Sequence, residues 1–150
     1  MRTVGARAGA WASLELSQGG SPLRLSLDLA GESGHALLFR RGPSTANRLQ
    51  PAADFQFSRT ERLRLELPLQ PDMKPGQGRL LDRSGQELKV PVTVAERTDA
   101  ETGQRWLTGD VILASLGQGD YVIEVAVAAP GRDDKTQQTL KTLTAIRVTR

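Results

Sequence analysis

The chain of 150 residues contains no cysteine. Disulfides and cysteine-based zinc, iron–sulfur or haem sites are excluded, so a packed core must hold the fold. The absence does not choose a compartment. It fits the cytoplasm, and it fits an exported domain large enough to need no staple. Histidine occurs once, as His35. A metal site there would have to be completed by carboxylates, and a catalytic triad would need a positioned nucleophile and acid. His35 follows Gly34 at the start of an apolar run and reads as a turn residue. Aromatic residues make up 4% of the chain. That is thin for a sugar-stacking platform, for which Trp11, Trp106 and Tyr121 are the candidates; packing roles are expected of them instead. No stretch approaches the roughly 18 consecutive apolar residues of a membrane span. Arg7 and Gly9 interrupt the N-terminal residues, so no secretory leader is expected within the chain.

What is present is arginine, leucine, glycine and turn chemistry. The formal charge is +3, and the basic excess is almost entirely arginine. The arginines alternate with acids, as in Arg24/Asp28, Arg62/Arg64/Glu66 and Arg79/Asp82/Arg83. A nucleic-acid footprint concentrates basic residues in a stripe. The interleaving here predicts an ordinary mixed surface and no nucleic-acid partner. The apolar fraction, 38% before the 15 glycines are added, is near the average for a globular domain.

Period-two alternation dominates. Trp11 to Ser17 and Leu23 to Leu29 alternate on either side of Gly19-Gly20-Ser21-Pro22, which predicts a hairpin. Residues 1–10 are aperiodic and are expected to be flexible. His35 to Phe39 is a short apolar run. Residues 42–54 read as a long loop, either a crossing between strands or a seam between two units. Phe55 and Phe57 alternate around Gln56. Arg62 to Leu69 is the clearest strand, with four leucines facing one way and Arg62, Arg64 and Glu66 the other. Two prolines and two glycines make Pro71–Gly78 a predicted loop. Leu88, Val90, Val92 and Val94 alternate. Trp106–Leu113 is extended, with Gly109 marking a bulge or a close contact. Tyr121–Val127 and Leu140–Val148 complete the set. A helix over Asp134–Leu143 competes with the last strand, but β-branched residues favour the strand. About eight or nine short strands with frequent turns predict an all-β fold. The expectation is an antiparallel β-sandwich, immunoglobulin- or fibronectin-like, over residues 11–150 as one domain. Leu65, Val92, Ile123 and Val125 are expected to face inward. Tyr121, which starts a strand, is placed to bond its hydroxyl back to a nearby loop, as a corner tyrosine does in sandwiches.

Several segments carry a family resemblance. They are Leu38–Asn47, Asp54–Leu65, Arg79–Gly85, Pro91–Val94 and Leu116–Glu124. Together they resemble the C-terminal β-sandwich region of large bacterial proteins described as VWFA-related, acidobacterial type. The likeness covers roughly residues 36–149. It implies a portion of an exported or surface protein, extracellular or periplasmic, with an adhesive or scaffolding role and no enzymatic activity. The metal signature of the A-like domain in such proteins is Asp-x-Ser-x-Ser. Asp82-Arg83-Ser84-Gly85-Gln86 begins that way but lacks the second serine, so a plain turn is expected.

No catalytic constellation stands out. Asp99 and Glu101, beside Glu96, would need a sugar cleft between them to act as a glycosidase pair; a turn with Thr98 and Gly103 accounts for them. Asp133-Asp134 lacks the spaced ligand series of a calcium loop. Gly76/Gly78 and Gly117/Gly119 are Gly-x-Gly pairs that open no helix, so no phosphate role follows. The notable charged pair is Arg40-Arg41 before Gly42-Pro43. With Asn47 these are the candidate partner-binding residues, either as forked donors to an acidic partner or as loop flanks meeting Asp54 or Glu61. The resulting expectation is a non-catalytic structural or protein-interaction module with a protein partner and without cofactor or metal. The alternative is a sandwich that binds carbohydrate or another small ligand.

Overall fold

The computed structural model describes residues 11–16, 23–28, 36–130 and 137–150. Residues 1–10, expected to be flexible, lie outside the described residues. Contacts divide the chain into two units, Met1–His35 and Ala36–Arg150. In the first, β1 (Trp11–Leu16) pairs antiparallel with β2 (Leu23–Asp28), from Trp11↔Asp28 to Leu16↔Leu23. This is the predicted hairpin.

The second unit is all-β. Its strands are β3 (Leu37–Arg41), β4 (Gln50–Pro51), β5 (Gln56–Ser58), β6 (Arg62–Leu69), β7 (Lys74–Asp82), β8 (Val92–Thr98), β9 (Arg105–Ile112), β10 (Gly119–Pro130) and β11 (Gln137–Thr149). They form one hydrogen-bonded sheet in the order β4-β3-β6-β9-β8-β7-β10-β11-β5. The sheet is mixed, because β5 runs parallel to β11 while the other pairs are antiparallel. It is strongly curled into a half-barrel. Arg40 of β3, next to one edge, donates from Nη2 to the carbonyl of Gln56 in β5, the opposite edge, at 2.8 Å.

The inside of the curl is aliphatic. Leu63, Leu65, Leu67 and Leu69 of β6 are buried, as the alternation predicts. Leu107 and Val111 of β9, Ile123 and Val125 of β10, and Ile146 and Val148 of β11 join them, with Val92 of β8 and Leu80 of β7. Phe57 is the one phenylalanine fully enclosed among the described residues. Tyr121 packs against this core, and its hydroxyl donates to the Gly117 carbonyl at 3.0 Å, the predicted corner bond.

Four local readings change. Residues 42–54 are not all loop, since they hold the 3-10 turn Pro43–Thr45 and the short β4, which pairs with β3. Pro71–Gly78 is not all loop, since β7 begins at Lys74. Gly76 and Gln77 face the single residue Ala126, where the β7–β10 register shifts, and a Cβ on Gly76 would lie 2.8 Å from the Ala126 carbonyl oxygen. Glycine signals this bulge as strongly as it signals a loop. The alternation from Leu88 is strand only from Val92, because Pro91 donates no ladder hydrogen bond and β8 starts after it; Leu88 and Val90 still pack on the core. The competing helix is strand from Gln137 onward, and the last strand is longer than Leu140–Val148.

Two glycines set how closely strands approach. Register runs unbroken through Gly109, opposite Leu65 and Val94, so this glycine is a close contact and not a bulge. A Cβ there would sit 3.1 Å from Leu65 Cγ. Gly78 pairs with Val92 at the one registered residue pair between β7 and β8. A Cβ on Gly78 would lie 2.6 Å from Val92 Cγ1 and 2.7 Å from Val94 Cγ2.

The outer face carries arginine–carboxylate pairs across strands. Arg64 grips Asp110 with two bonds of 2.9 and 3.1 Å between directly paired residues. Arg97 reaches over β9 to the buried Glu66, bonding Oε1 at 3.0 Å, and lies over the Trp106 ring. Arg79 Nε bonds the buried Glu124 at 2.9 Å, and Lys141 Nζ approaches the same oxygen at 3.5 Å. Arg147 and Asp120, also directly paired, form a fork of 2.6 and 3.1 Å. Among the described residues no buried side-chain polar atom lacks a partner.

Two outcomes follow. Gly78→Ala should lower stability to urea by about 1–3 kcal/mol through overpacking, and Val92→Ala in the same chain should recover part of that loss. Unchanged stability in Gly78→Ala would show that β7 and β8 do not approach so closely. The Arg79 hydrogen bond, with Lys141 nearby, holds the Glu124 carboxyl below the usual glutamate range against the opposing effect of burial. Its contribution is therefore full above the unfolded glutamate pKa of about 4.3 and is lost as pH falls through the lower folded value. In acid titrations monitored by circular dichroism, Glu124→Gln should lose less stability than wild type as pH falls through that range.

Candidate interaction surface

The segment after β3 is a tightly bonded turn. Gly42 is extended, with φ −179° and ψ −168°, as the following proline requires. Pro43–Thr45 forms one 3-10 turn. The buried Thr45 hydroxyl accepts from the Gly42 N–H and donates to its carbonyl, both at 3.0 Å. Ala46 and Asn47 then take left-handed conformations, with φ of 49° and 57°. Asparagine tolerates that region better than alanine. Gly42 also lies against Glu61, where a Cβ would sit 3.0 Å from Glu61 Cγ.

The two candidate arginines, adjacent at the end of β3, point in opposite directions because adjacent strand residues face opposite sides of a sheet. Arg40 faces inward. Its Nη2 bonds Asp54 at 2.9 Å and the Gln56 carbonyl, and its Nη1 lies 3.6 Å from the buried Glu61. The guanidinium stands 5.1 Å from the Phe57 ring centroid. Glu61 in turn accepts from Ser44 Oγ at 3.1 Å and from the Ser58 N–H at 2.7 Å. Arg40 thus meets both carboxylates named as its alternative partners.

Arg41 faces outward. Its Nε donates to the Asn47 backbone carbonyl at 2.7 Å, which leaves both terminal nitrogens without a partner among the described residues. Asn47 contributes through its backbone. Arg41 pairs directly across the ladder with Arg62, also exposed, which has no carboxylate partner among the described residues. Arg62 in turn pairs with Ile112. Arg41, Arg62 and Arg64 line a hollow of about 350 Å³ with Leu49, Ile112 and Asp110. Leu49 and Ile112 are exposed aliphatics, at 42% and 54%. Asp110 already neutralises Arg64, so the hollow carries the charge of Arg41 and Arg62.

Sequence reading missed Arg62 and Ile112 as surface partners of Arg41. The available signal was that both stand on the polar register of their strands, where an isoleucine is out of place. Which strands lie side by side was not readable.

The remaining candidates are dispersed or locally used. Asp99 accepts from the N–H groups of Glu101 and Thr102 and from the Thr102 hydroxyl, which together hold its carboxyl below the usual range. Glu96 forks with Arg105, which also ties down the carbonyls of Gln70, Pro71 and Met73. Asp82 accepts from the Ser84 hydroxyl and from the Ser84 and Gln86 N–H groups, the turn expected there. Trp106 stands on the outer face beneath Arg97, while Tyr121 packs on the inner core, so they do not share a platform. Trp11 belongs to the hairpin unit. His35, Asp133 and Asp134 lie outside the described residues. No helix among the described residues is long and apolar enough to cross a membrane.

The two arginines should separate in experiment. Arg40→Ala should cost about 1–3 kcal/mol, because it strips charged hydrogen bonds and an aromatic contact from a partly buried cluster. Arg41→Ala should stay within about 0.5 kcal/mol of wild type, as exposed substitutions do. Denaturation of the two single variants checks this, and equal losses would contradict the opposed orientations. The chain matches no family model, no curated protein and no solved structure.

Proposed function

We propose that this chain is a non-catalytic protein-interaction module of immunoglobulin-like sandwich type, and that its outer sheet face docks a carboxylate of a protein partner at Arg41 and Arg62. The observation that carries the docking site is the arginine pair itself. Like charges directly opposite on adjacent strands are destabilising by a few tenths of a kcal/mol or more. Arg41 and Arg62 stand in that relation with no described carboxylate between them. A forked carboxylate from a partner relieves the repulsion and uses the free donors. Leu49 and Ile112 beside them give the partner apolar contact.

The sandwich reading is supported by the strand order. The run β4-β3-β6-β9-β8 and the run β7-β10-β11-β5 share a single registered ladder pair, Gly78↔Val92, which favours reading the curled sheet as two faces over one core. The Tyr121–Gly117 bond is the corner contact of such folds. The non-catalytic reading is supported by the use of Glu66, Glu96, Asp110, Asp120 and Glu124 in arginine pairs. A protein partner is favoured over nucleic acid because these carboxylates interleave with the arginines across the same sheet. Membership in a larger exported or surface protein rests on the resemblance of segments such as Leu38–Asn47 and Leu116–Glu124 to VWFA-related proteins.

The test is a nuclear magnetic resonance titration with a short peptide alternating glutamate and leucine. The largest shifts are expected at Arg41, Arg62, Leu49 and Ile112. Arg41→Ala/Arg62→Ala should weaken binding by about 1.5–3 kcal/mol, the range for hydrogen bonds to charged groups, with the fold retained. Absence of shifts in wild type, or equal affinity in the double variant, would refute the docking site.

A further inference from the structure

We infer that the open edge of β11 pairs antiparallel with β11 of a second copy of this chain, about a two-fold axis at Leu143. β11 spans 13 residues, and on its far side β5 covers only Arg147–Thr149. Among the described residues nothing else pairs with that side. The Arg147 N–H donates to the Phe55 carbonyl and the Thr149 carbonyl accepts from the Arg59 N–H, so both residues direct their backbone groups away from β10. Backbone direction alternates along a strand. Lys141, Leu143 and Ala145 therefore present to the open edge N–H and C=O groups that no described residue pairs with.

Proteins normally guard such an edge with proline, a bulge or charge. Residues 137–146 read Gln-Gln-Thr-Leu-Lys-Thr-Leu-Thr-Ala-Ile, with no proline or glycine. The β10–β11 register is unbroken there. The single charge, Lys141, is drawn to Glu124 of β10. The outer side chain at the middle of this edge is Leu143, 63% exposed.

Among the registers centred on residues 141–143, the one at Leu143 is self-complementary. An axis at Lys141 would set two lysines opposite each other. An axis at Thr142 would set each Leu143 against a lysine. An axis at Leu143 sets the two leucines together, Lys141 opposite the uncharged Ala145, and Thr142 opposite Thr144, a threonine pair of the kind that stabilises adjacent strands. That ladder runs from Leu140 to Ile146 and stops where β5 takes over at Arg147. A single seven-residue ladder buries less than a standard interface, so the dimer is a transient one.

Sedimentation equilibrium of the whole chain over a wide concentration range tests this. Wild type should show a monomer–dimer equilibrium at high concentration. Leu143→Pro removes an N–H directed away from β10, and so costs no bond of the existing ladder. Leu143→Lys places like charges at the axis. Each should weaken dimerisation at least tenfold while circular dichroism stays that of wild type. If Leu143→Pro does not fold, Leu143→Lys alone decides. A wild type that stays monomeric up to millimolar concentration overturns the inference, including the case in which the edge takes a strand of another protein. So does a folded variant that dimerises as wild type does.

Discussion

Gly78 faces Val92 at the one registered residue pair that joins β7 to β8, and there is no room between them for a methyl group. The rest of the sheet depends on that approach. On one side lie β8, β9, β6 and β3, on the other β7, β10 and β11. Their inward residues are almost all Leu, Ile and Val, with Phe57 alone supplying a large enclosed ring among the described residues. A core of branched aliphatics fills its space only if the two runs of strands come close, because interiors pack to near-crystalline density. The missing Cβ at Gly78 permits that closeness opposite Val92 and Val94, and the one at Gly109 makes room within its own run for Leu65.

Tight curling also fixes what the outer face does. Arginines and carboxylates on neighbouring strands come within bonding distance once registers are set. Arg64 with Asp110 and Arg147 with Asp120 are directly opposed pairs. Arg97 with Glu66 is a diagonal that spans β9. The buried carboxylates Glu66 and Glu124 are tolerated because each is met by a guanidinium. Against this largely neutralised surface the Arg41–Arg62 pair stands out as charge that the described residues do not compensate. Arg41 ends β3, and the turn that follows is held by Thr45 and Glu61, so the residue stands on ordered backbone. Little conformational entropy remains to be lost there on binding.

Much of the local structure was legible in the sequence. Alternation in Arg62–Leu69 identified β6 and its inward leucines, because a strand has period two whatever its neighbours are. Gly19–Pro22 identified the hairpin between β1 and β2. Leu65, Val92, Ile123 and Val125 lie in the core as expected. Tyr121 was placed correctly because its bond to Gly117 spans only four residues. Pro71–Gly78 misled, since glycine and proline carry the same signal in a loop and at a bulged strand. Arg40, Arg41 and Asn47 were recognised as a unit, yet strand alternation divides the two arginines between the core side and the surface.

The sequence by itself determined most of the strands, which face of each is apolar, and that no cysteine chemistry operates. These follow from residue spacing and composition, which are local properties. Strand adjacency was decided only by the tertiary structure. It brought Arg62 of β6 beside Arg41 of β3, laid β5 parallel to β11, and left residues 137–146 of β11 uncovered on one side among the described residues. Register between strands distant in sequence depends on the simultaneous packing of all of them. No periodicity within one segment records it.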